Sequence, residues 1–339
     1  MSENNRCLYL DSEHNLTIEN REIPKPEPNQ VLVKVAANGI CGSDIHFYLD
    51  GRLGNFVVTQ PYIPGHEASG TIVACGSAAR KFEEGTRVVI EPGVACGHCK
   101  LCKIGRYNLC PNVIFLSAPP VNGTFCDYLC IDENYVFPIS DTLSFADAAL
   151  AEPLVVAIHT ANRARIRLGE TGVIVGAGPI GLLMLQAFKS AGGGHAICID
   201  LHSNRLDAAK KLGADEVIVP DSDCDLESIG DVIFETAGSS VATKQLFKMA
   251  RVGGRVAQVG WPDGNIVELD VATFMEKELD YIGVNRYANG YETAVRWLAD
   301  GRIKTDGIIT QKYSLEDAPA AFKWAHEHPQ DTIKVIVEN

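Results

Sequence analysis

Apolar residues follow two rhythms along this chain, and the change between them divides it. From about residue 155 to 284, short apolar runs alternate with stretches of helical spacing. The runs predict strands at 172–175, 195–199, 215–219, 231–235, 255–260 and 279–284, with helices from 179 and over 203–212. Such alternation is the pattern of a doubly wound parallel sheet. Upstream, the apolar segments are broken by Gly and Pro. A first hairpin is expected before Pro24, Pro26 and Pro28, then strands at 31–37, 71–75 and 85–91 and short strand segments from Phe125 to Pro138. That half reads as an irregular, mainly β module. Ala-rich helical spacing marks 141–160, and another helix is expected from Tyr291 to Asp300 before the chain ends in short apolar segments. This tail is expected to return and complete the first domain.

Composition narrows the possibilities. At 339 residues, 46% hydrophobic and 22% charged, the chain is expected to form two globular domains. A net charge of −13 argues against a nucleic-acid partner and against an anionic membrane surface, since both require clustered Lys and Arg. No basic segment leads into an apolar one at the start, and no apolar run reaches spanning length, so a cytoplasmic protein is expected. Eleven cysteines in a reducing compartment are expected to be metal ligands and core fillers rather than disulfides.

The strongest local signal is Val173-Ile-Val-Gly176-Ala-Gly178-Pro179-Ile180-Gly181, where an apolar strand stops at a glycine and a helix begins. Gly176 permits the tight turn, Gly178 lets backbone amides approach a pyrophosphate, and Gly181 lets the helix pack against its strand. The phosphates would rest on the helix N-terminus. The next strand ends in Asp200, about 20 residues past the glycines, where a carboxylate can grip a ribose 2′-hydroxyl. Strand, loop, helix, strand and acid in that order point to a dinucleotide site. Arg205 lies close enough in sequence to influence the choice between a 2′-hydroxyl and a 2′-phosphate.

Two groups of metal-ligand residues stand out. Cys96, Cys99, Cys102 and Cys110 supply four thiols on one short stretch, enough to close a tetrahedron around Zn²⁺ with no open position. An iron–sulfur cluster and free thiols remain the alternatives at this point, and the acidic balance disfavours a nucleic-acid zinc ribbon. The second group is dispersed: Cys41, His66, Glu67 and Glu152 offer a thiol, an imidazole and two carboxylates near strand ends and turns. Three such ligands would leave a fourth position for water or a substrate oxygen. Spacing alone also allows plain structural roles for each.

Cys41-Gly-Ser43-Asp-Ile-His46, Gly65-His66-Glu67, the four-cysteine lobe, Glu152-Pro153-Leu154 and the glycine run occur in one order over nearly the whole chain. Together they resemble the zinc-containing medium-chain dehydrogenases. Glu152-Pro-Leu, Gly51-Arg52-Leu-Gly54-Asn55-Phe56 and Asn285-Arg286-Tyr287 are similar to the polyol (sorbitol/xylitol) branch of that family. The resemblance implies a mainly β GroES-like catalytic domain over 1–154, with a structural zinc lobe at 96–110. A Rossmann domain over 155–285 and a return of 286–339 to the catalytic domain would complete the chain, with the active site between the two domains.

The resemblance also implies roles. Cys41 and His66 would hold a catalytic zinc with Glu67 or Glu152 as third ligand, and the four-cysteine lobe would hold a structural one. Ser43 and His46 would pass a proton outward through the nicotinamide ribose, with Glu152 also in the catalytic set. NAD would be bound by Gly176, Gly178, Pro179, Ile180, Gly181, Asp200, Leu201, Arg205, Val259, Gly260, Asn285 and Arg286. Phe47, Phe56, Glu152, Arg286 and Tyr287 would face substrate, with Phe47 standing where the branch commonly has tyrosine. The expected activity is oxidation of a polyol secondary alcohol to a ketose, in a homodimer or homotetramer. The alternatives are a dehydrogenase of threonine, a sugar acid or a sugar phosphate, and a non-catalytic binding or structural protein on the same fold. The edge strand of the Rossmann sheet is expected at 279–284.

Overall fold

In the computed structural model, which describes residues 4–221, 224–262 and 266–339, the chain divides into two compact units. The first comprises the described residues up to Glu152 with Tyr291–Asp300 and Ile309–Asn339, the second Pro153–Gly290 with Gly301–Ile308.

The first unit is built on a seven-stranded sheet. Its order is Val136–Pro138, Arg87–Ile90, Glu67–Cys75, Gln30–Gly39, Lys334–Glu338 and Ile309–Ser314, with Tyr128–Asp132 also paired to Gln30–Gly39. One edge of Gln30–Gly39 is thus shared. Tyr128–Asp132 takes its first half, Val31 opposite Ile131, and Lys334–Glu338 takes its last residues, Gly39 opposite Ile336. The other edge pairs with Glu67–Cys75 and sets Gly39 opposite Glu67. Val33, Val35, Ile72, Val88, Phe125 and Phe322 fill the core beneath. The hairpin expected at the start of the chain is present as Asn5–Leu10 against Leu16–Arg21.

The tail differs from its expectation. It folds as strand, helix and parallel strand: Ile309–Ser314, Ala318–Glu327 and Lys334–Glu338. The sequence Ile-Thr-Gln-Lys-Tyr-Ser is half exposed and mostly polar, so it lacks the apolar run that marks a strand. The return to the first unit is also interrupted, because residues 301–308 stay with the second. Gln186, on the helix Pro179–Ser190, explains this: it donates to the Lys304 carbonyl at 3.0 Å and accepts the Lys304 N–H at 2.7 Å.

The second unit carries a six-stranded sheet ordered Glu216–Ile218, His195–Ile199, Thr171–Val175, Gly230–Glu235, Ala250–Gln258 and Asp280–Gly283. Every pairing is parallel. The order reverses at Thr171–Val175, and ligands in doubly wound sheets bind beyond the strand ends at such a reversal. Asp280–Gly283 is the edge strand, as expected from the sequence. The crossover after Gly230–Glu235 holds only the four-residue helices Ser240–Thr243 and Leu246–Met249. A single turn shows no helical period, so the sequence did not announce them.

Candidate functional site

Sheet register assembles the first cluster. Cys41 follows the strand that ends at Gly39 and occupies the N-cap of the helix Gly42–Asp50. His66 and Glu67 stand at the start of Glu67–Cys75, the strand paired with Gly39. The thiol, the imidazole and the Glu67 carboxylate lie within 4.8 Å of one another. A Cβ on Gly39 would strike Glu67 Oε2, so only glycine leaves room for this carboxylate. Glu152, buried in the first turn of Ala151–Ala164, lies outside that close set but acts on it by charge. Burial disfavours a charged His66, yet Asp44, Cys41 and Glu152 outweigh it and hold the imidazole well above its ordinary pKa. Groups that favour a protonated imidazole also favour a divalent cation, and thiol, imidazole and carboxylate are a donor set that zinc accepts.

Two residues of this cluster escaped the sequence reading. Asp44, with no exposed surface, accepts the Cys41 N–H at 3.0 Å, the Ser117 hydroxyl at 3.0 Å and the Gly65 N–H at 3.2 Å. Its Oδ1 also faces His66 Nδ1 at 3.8 Å. The available signal was an acid at the third helical position behind Cys41. Lys334 is 2% exposed and Glu67 1%. The ammonium donates to both Glu67 oxygens, at 2.7 and 2.6 Å, and to the Ile40 carbonyl at 3.0 Å. Burial works against its charge, but Glu67, Cys41 and Glu152 raise its pKa beyond the usual lysine value. Nothing local in the sequence marks Lys334.

Ser43 and His46 sit one turn apart on Gly42–Asp50, both partly exposed, and His46 Nδ1 meets Asp50 Oδ2 at 3.1 Å. Phe47, on the same helix, is 4% exposed and packs edge-on to Tyr62 in a small core with Leu10 and Val58. That packing accounts for its phenyl ring. Phe56 is exposed on the short hairpin Arg52–Leu53 and Phe56–Val57.

The four lobe cysteines also gather their sulfurs within 4.8 Å. Cys99 Sγ accepts the Cys102 N–H at 3.4 Å and Cys110 Sγ accepts the Cys96 N–H at 3.4 Å. Backbone N–H groups of His98 and Cys99 pull the Cys96 thiol down to about 6, while desolvation and the neighbouring thiols push that of Cys102 up to about 12. Four sulfurs directed inward and met by N–H donors suit thiolates around a tetrahedral metal with no open position.

In the second unit, Gly176 adopts φ +96° at the end of Thr171–Val175. A Cβ on Gly181 would strike the Gly176 carbonyl, so strand and helix meet at van der Waals range. Asp200 ends His195–Ile199 and ties two loops: its Oδ2 accepts the Ala177 N–H at 2.7 Å, its Oδ1 the His202 N–H at 2.9 Å. Arg205 Nη1 lies 3.9 Å from the same carboxylate. Beside them opens a cavity of about 440 Å³, lined by Gly176, Asp200, Leu201, His202, Arg205 and Ala237 among others. Glu235, another residue not anticipated, is buried at the end of its strand and accepts the Ala237 and Gly238 N–H groups at 3.1 and 2.9 Å. Val259 and Gly260 donate to its carbonyl at 2.9 and 3.0 Å. Asn285, Arg286 and Tyr287 follow the edge strand; Tyr287 is buried, and burial draws the Arg286 guanidinium below its usual pKa.

Comparison with known proteins agrees with this geometry. Residues 27–141 match the family described as alcohol dehydrogenase GroES-like domain, and residues 179–300 match zinc-binding dehydrogenase. The chain is 42% identical to a sorbitol dehydrogenase of Bacillus subtilis (strain 168), over 99% of this chain and 97% of that one. It is 35% identical to a D-xylulose reductase of Saccharomyces cerevisiae, over 98% and 97%. The crystal structure of L-idonate 5-dehydrogenase from Escherichia coli superposes with a TM-score of 0.94 at 30% identity, covering 99% of this chain and 98% of that one. A GroES-like module with a cysteine–histidine–glutamate cluster, a Rossmann sheet and full-length likeness of this degree place the chain in the zinc-containing medium-chain dehydrogenase family, in its polyol dehydrogenase branch.

Proposed function

We propose that this chain oxidises a secondary hydroxyl of a sorbitol- or xylitol-like polyol to a ketose, with hydride passing to NAD. The observation that carries this reading is the Cys41–His66–Glu67 set, a half-buried thiol beside a buried imidazole and a buried carboxylate, three ligands that leave a position for a substrate oxygen. When bound there, zinc supplies the Lewis acidity that lowers the hydroxyl pKa, and NAD is the hydride acceptor.

The side chains around these groups do the positioning. Asp44 Oδ1 lies 3.8 Å from His66 Nδ1, beyond hydrogen-bond distance, and acts on the ring by charge, leaving Nε2 for the metal. Lys334 holds Glu67 in place as the third ligand, with Glu152 close enough to bias the site by charge. Ser43 and then His46 carry the released proton toward water, since the His46 side chain is 43% exposed. Four sulfurs of the lobe hold the second zinc, whose role is structural. Asp200 faces the adenosine ribose, where its charge opposes a 2′-phosphate. Arg286, Tyr287 and Phe56 contact the polyol. The reading includes a homodimer or homotetramer in the cytoplasm. The edge strand Asp280–Gly283 has the exposed side chains of Val271, Met275 and Tyr281 on it or on the segment leading to it, and edge-to-edge pairing would cover an open parallel edge. A monomer in sedimentation at micromolar concentration would remove that part. No helix among the described residues is long and apolar enough to cross a membrane.

The deciding experiment is an NAD⁺-reduction screen of the zinc-loaded protein against polyols, amino alcohols, sugar acids and short secondary alcohols. Sorbitol- or xylitol-like substrates should give the highest kcat/KM. Arg286→Ala should lower that value by on the order of 1–3 kcal/mol of transition-state binding for the polyol, and hardly at all for 2-butanol. Faster turnover of 2-butanol or threonine by the unmodified protein would overturn the substrate assignment.

Metal analysis should find two zincs per chain and separate their roles. Cys99→Ser should lower stability, because a structural site contributes folding energy directly. Cys41→Ser should abolish activity while unfolding stays cooperative. Asp44→Asn keeps the size of the side chain but removes the charge beside His66. It should weaken the catalytic zinc about 10–100-fold against a competing chelator and leave the lobe zinc in place.

Cofactor choice tests Asp200. The unmodified protein should prefer NAD⁺ to NADP⁺, and Asp200→Ala should narrow that preference. Equal efficiency with both cofactors before mutation would count against the assigned role.

A further inference from the structure

Five of the cysteines belong to the two metal clusters. Cys7 and Cys126 belong to neither, yet they face each other as partners in an antiparallel bridge. The backbone bonds flanking that bridge run from Leu8 N–H to the Phe125 carbonyl at 2.9 Å and from Asp127 N–H to the Arg6 carbonyl at 3.0 Å. The cysteines therefore form a non-hydrogen-bonded pair, the kind in which opposed Cα atoms approach to about 4.5 Å and side chains lie nearest. A disulfide spans Cα separations of roughly 4.4–6.8 Å, a range that includes pairs of this kind. Both residues are buried, at 1% and 2% exposure, and neither is in a disulfide. Cys7 Sγ donates to the Asn5 carbonyl at 3.6 Å and Cys126 Sγ to the Tyr128 carbonyl at 3.3 Å. The thiol opposite draws the Cys7 thiol below its ordinary pKa and, together with burial, lifts that of Cys126 well above.

We propose that Cys7 and Cys126 form an oxidative modification site, which a small peroxide converts into a disulfide that latches the N-terminal hairpin to segment 124–127. The Cys7 thiolate attacks one oxygen of hydrogen peroxide; the O–O bond breaks and hydroxide leaves, taking up a proton to become water. Cys7 is then a sulfenic acid. Cys126 sulfur attacks Cys7 sulfur, the S–O bond breaks, and the departing hydroxide leaves as water with the Cys126 proton. In total, two thiols lose two electrons, one peroxide gains them, and two waters form. Burial favours an oxidant of this size over a bulky disulfide such as oxidised glutathione.

The latch lies next to the catalytic cluster. Thr124 N–H donates to the Gly65 carbonyl at 2.9 Å and Phe125 N–H to the Pro64 carbonyl at 3.0 Å, directly ahead of His66. Oxidation thus secures the segment supporting that histidine. Because a non-hydrogen-bonded pair lies within disulfide range, the effect falls on the unfolded chain, in which a long loop becomes closed.

The test treats the zinc-loaded full-length protein with hydrogen peroxide, then alkylates, digests and maps it by mass spectrometry without reduction. The expected product is a linked peptide pair containing Cys7 and Cys126, two hydrogens lighter and separated by a thiol reductant. Its formation should raise the unfolding midpoint by about 5 °C with zinc content unchanged. Cys7→Ser and Cys7→Ala should lose both the linked pair and the rise. Mapping of the unmodified protein decides the matter even if neither variant folds. The proposal fails if both cysteines remain fully alkylatable while other thiols have reacted. It also fails if they end as unlinked sulfinic acids, or if they link only after zinc has been lost.

Discussion

Three strand ends meet at one ammonium. Lys334 begins the last strand of the chain, Glu67 begins the strand paired with Gly39, and Ile40 follows the strand that Gly39 closes. The Lys334 Nζ reaches all three through the Glu67 carboxylate and the Ile40 carbonyl. Removing one member of such a buried pair leaves an uncompensated charge, which costs about 3–5 kcal/mol. A purely apolar contact could hold the strands as well, but it would not orient a carboxylate toward a thiol and an imidazole. The pair therefore ties sheet closure to the geometry of the metal cluster, and Gly39 is the residue that leaves space for it.

The second unit solves a different problem with the same means. Its loops must lie open beyond the strand ends, where few apolar contacts can hold them. Two carboxylates replace those contacts. Asp200 accepts N–H groups from two loops, at Ala177 and His202, and Glu235, two strands along the sheet, accepts those of Ala237 and Gly238 in the loop after its own strand. Each takes up backbone N–H groups while keeping further acceptor capacity, Glu235 for the Gln258 amide at 2.9 Å, so the loops are shaped before any cofactor arrives. That arrangement reduces the ordering entropy lost on binding.

Local patterns were legible in the sequence and distant ones were not. The strand His195–Ile199 and the helix beginning at Pro179 stand as predicted, because each is specified by an uninterrupted run of neighbours. The four-cysteine lobe was visible for the same reason. Cys41, His66, Glu67 and Glu152 stood out only as a dispersed set whose roles came from the family resemblance; in the structure Glu67 joins Cys41 and His66 within 4.8 Å and Glu152 lies outside that set. Lys334 lies 267 residues from Glu67 in the chain, and no local period encodes such a partner. Phe47 came from its place in a recognised motif, and its packing against Tyr62, which only the structure reveals, places it in a small core as well. The strand Ile309–Ser314 was hidden because tertiary pairing, rather than apolar alternation, makes it a strand.

Charge balance links the buried cluster to its metal. Around His66 and Lys334 stand the carboxylates of Asp44, Glu67 and Glu152 and the thiol of Cys41. One ammonium cannot compensate all of these once the thiol ionises, and a buried site cannot borrow compensation from solvent. A protonated imidazole would help, but it would forfeit the lone pair that makes His66 a ligand. A divalent cation held by Cys41, His66 and Glu67 would remove the conflict by supplying the missing positive charge while leaving the imidazole its lone pair. Asp44 accepts from Cys41, Gly65 and Ser117 at once, so its carboxylate stands behind the histidine with its hydrogen bonds met. The donor set and the surrounding charges thus call for the same ion, and that agreement supports a zinc dehydrogenase more strongly than either feature taken separately.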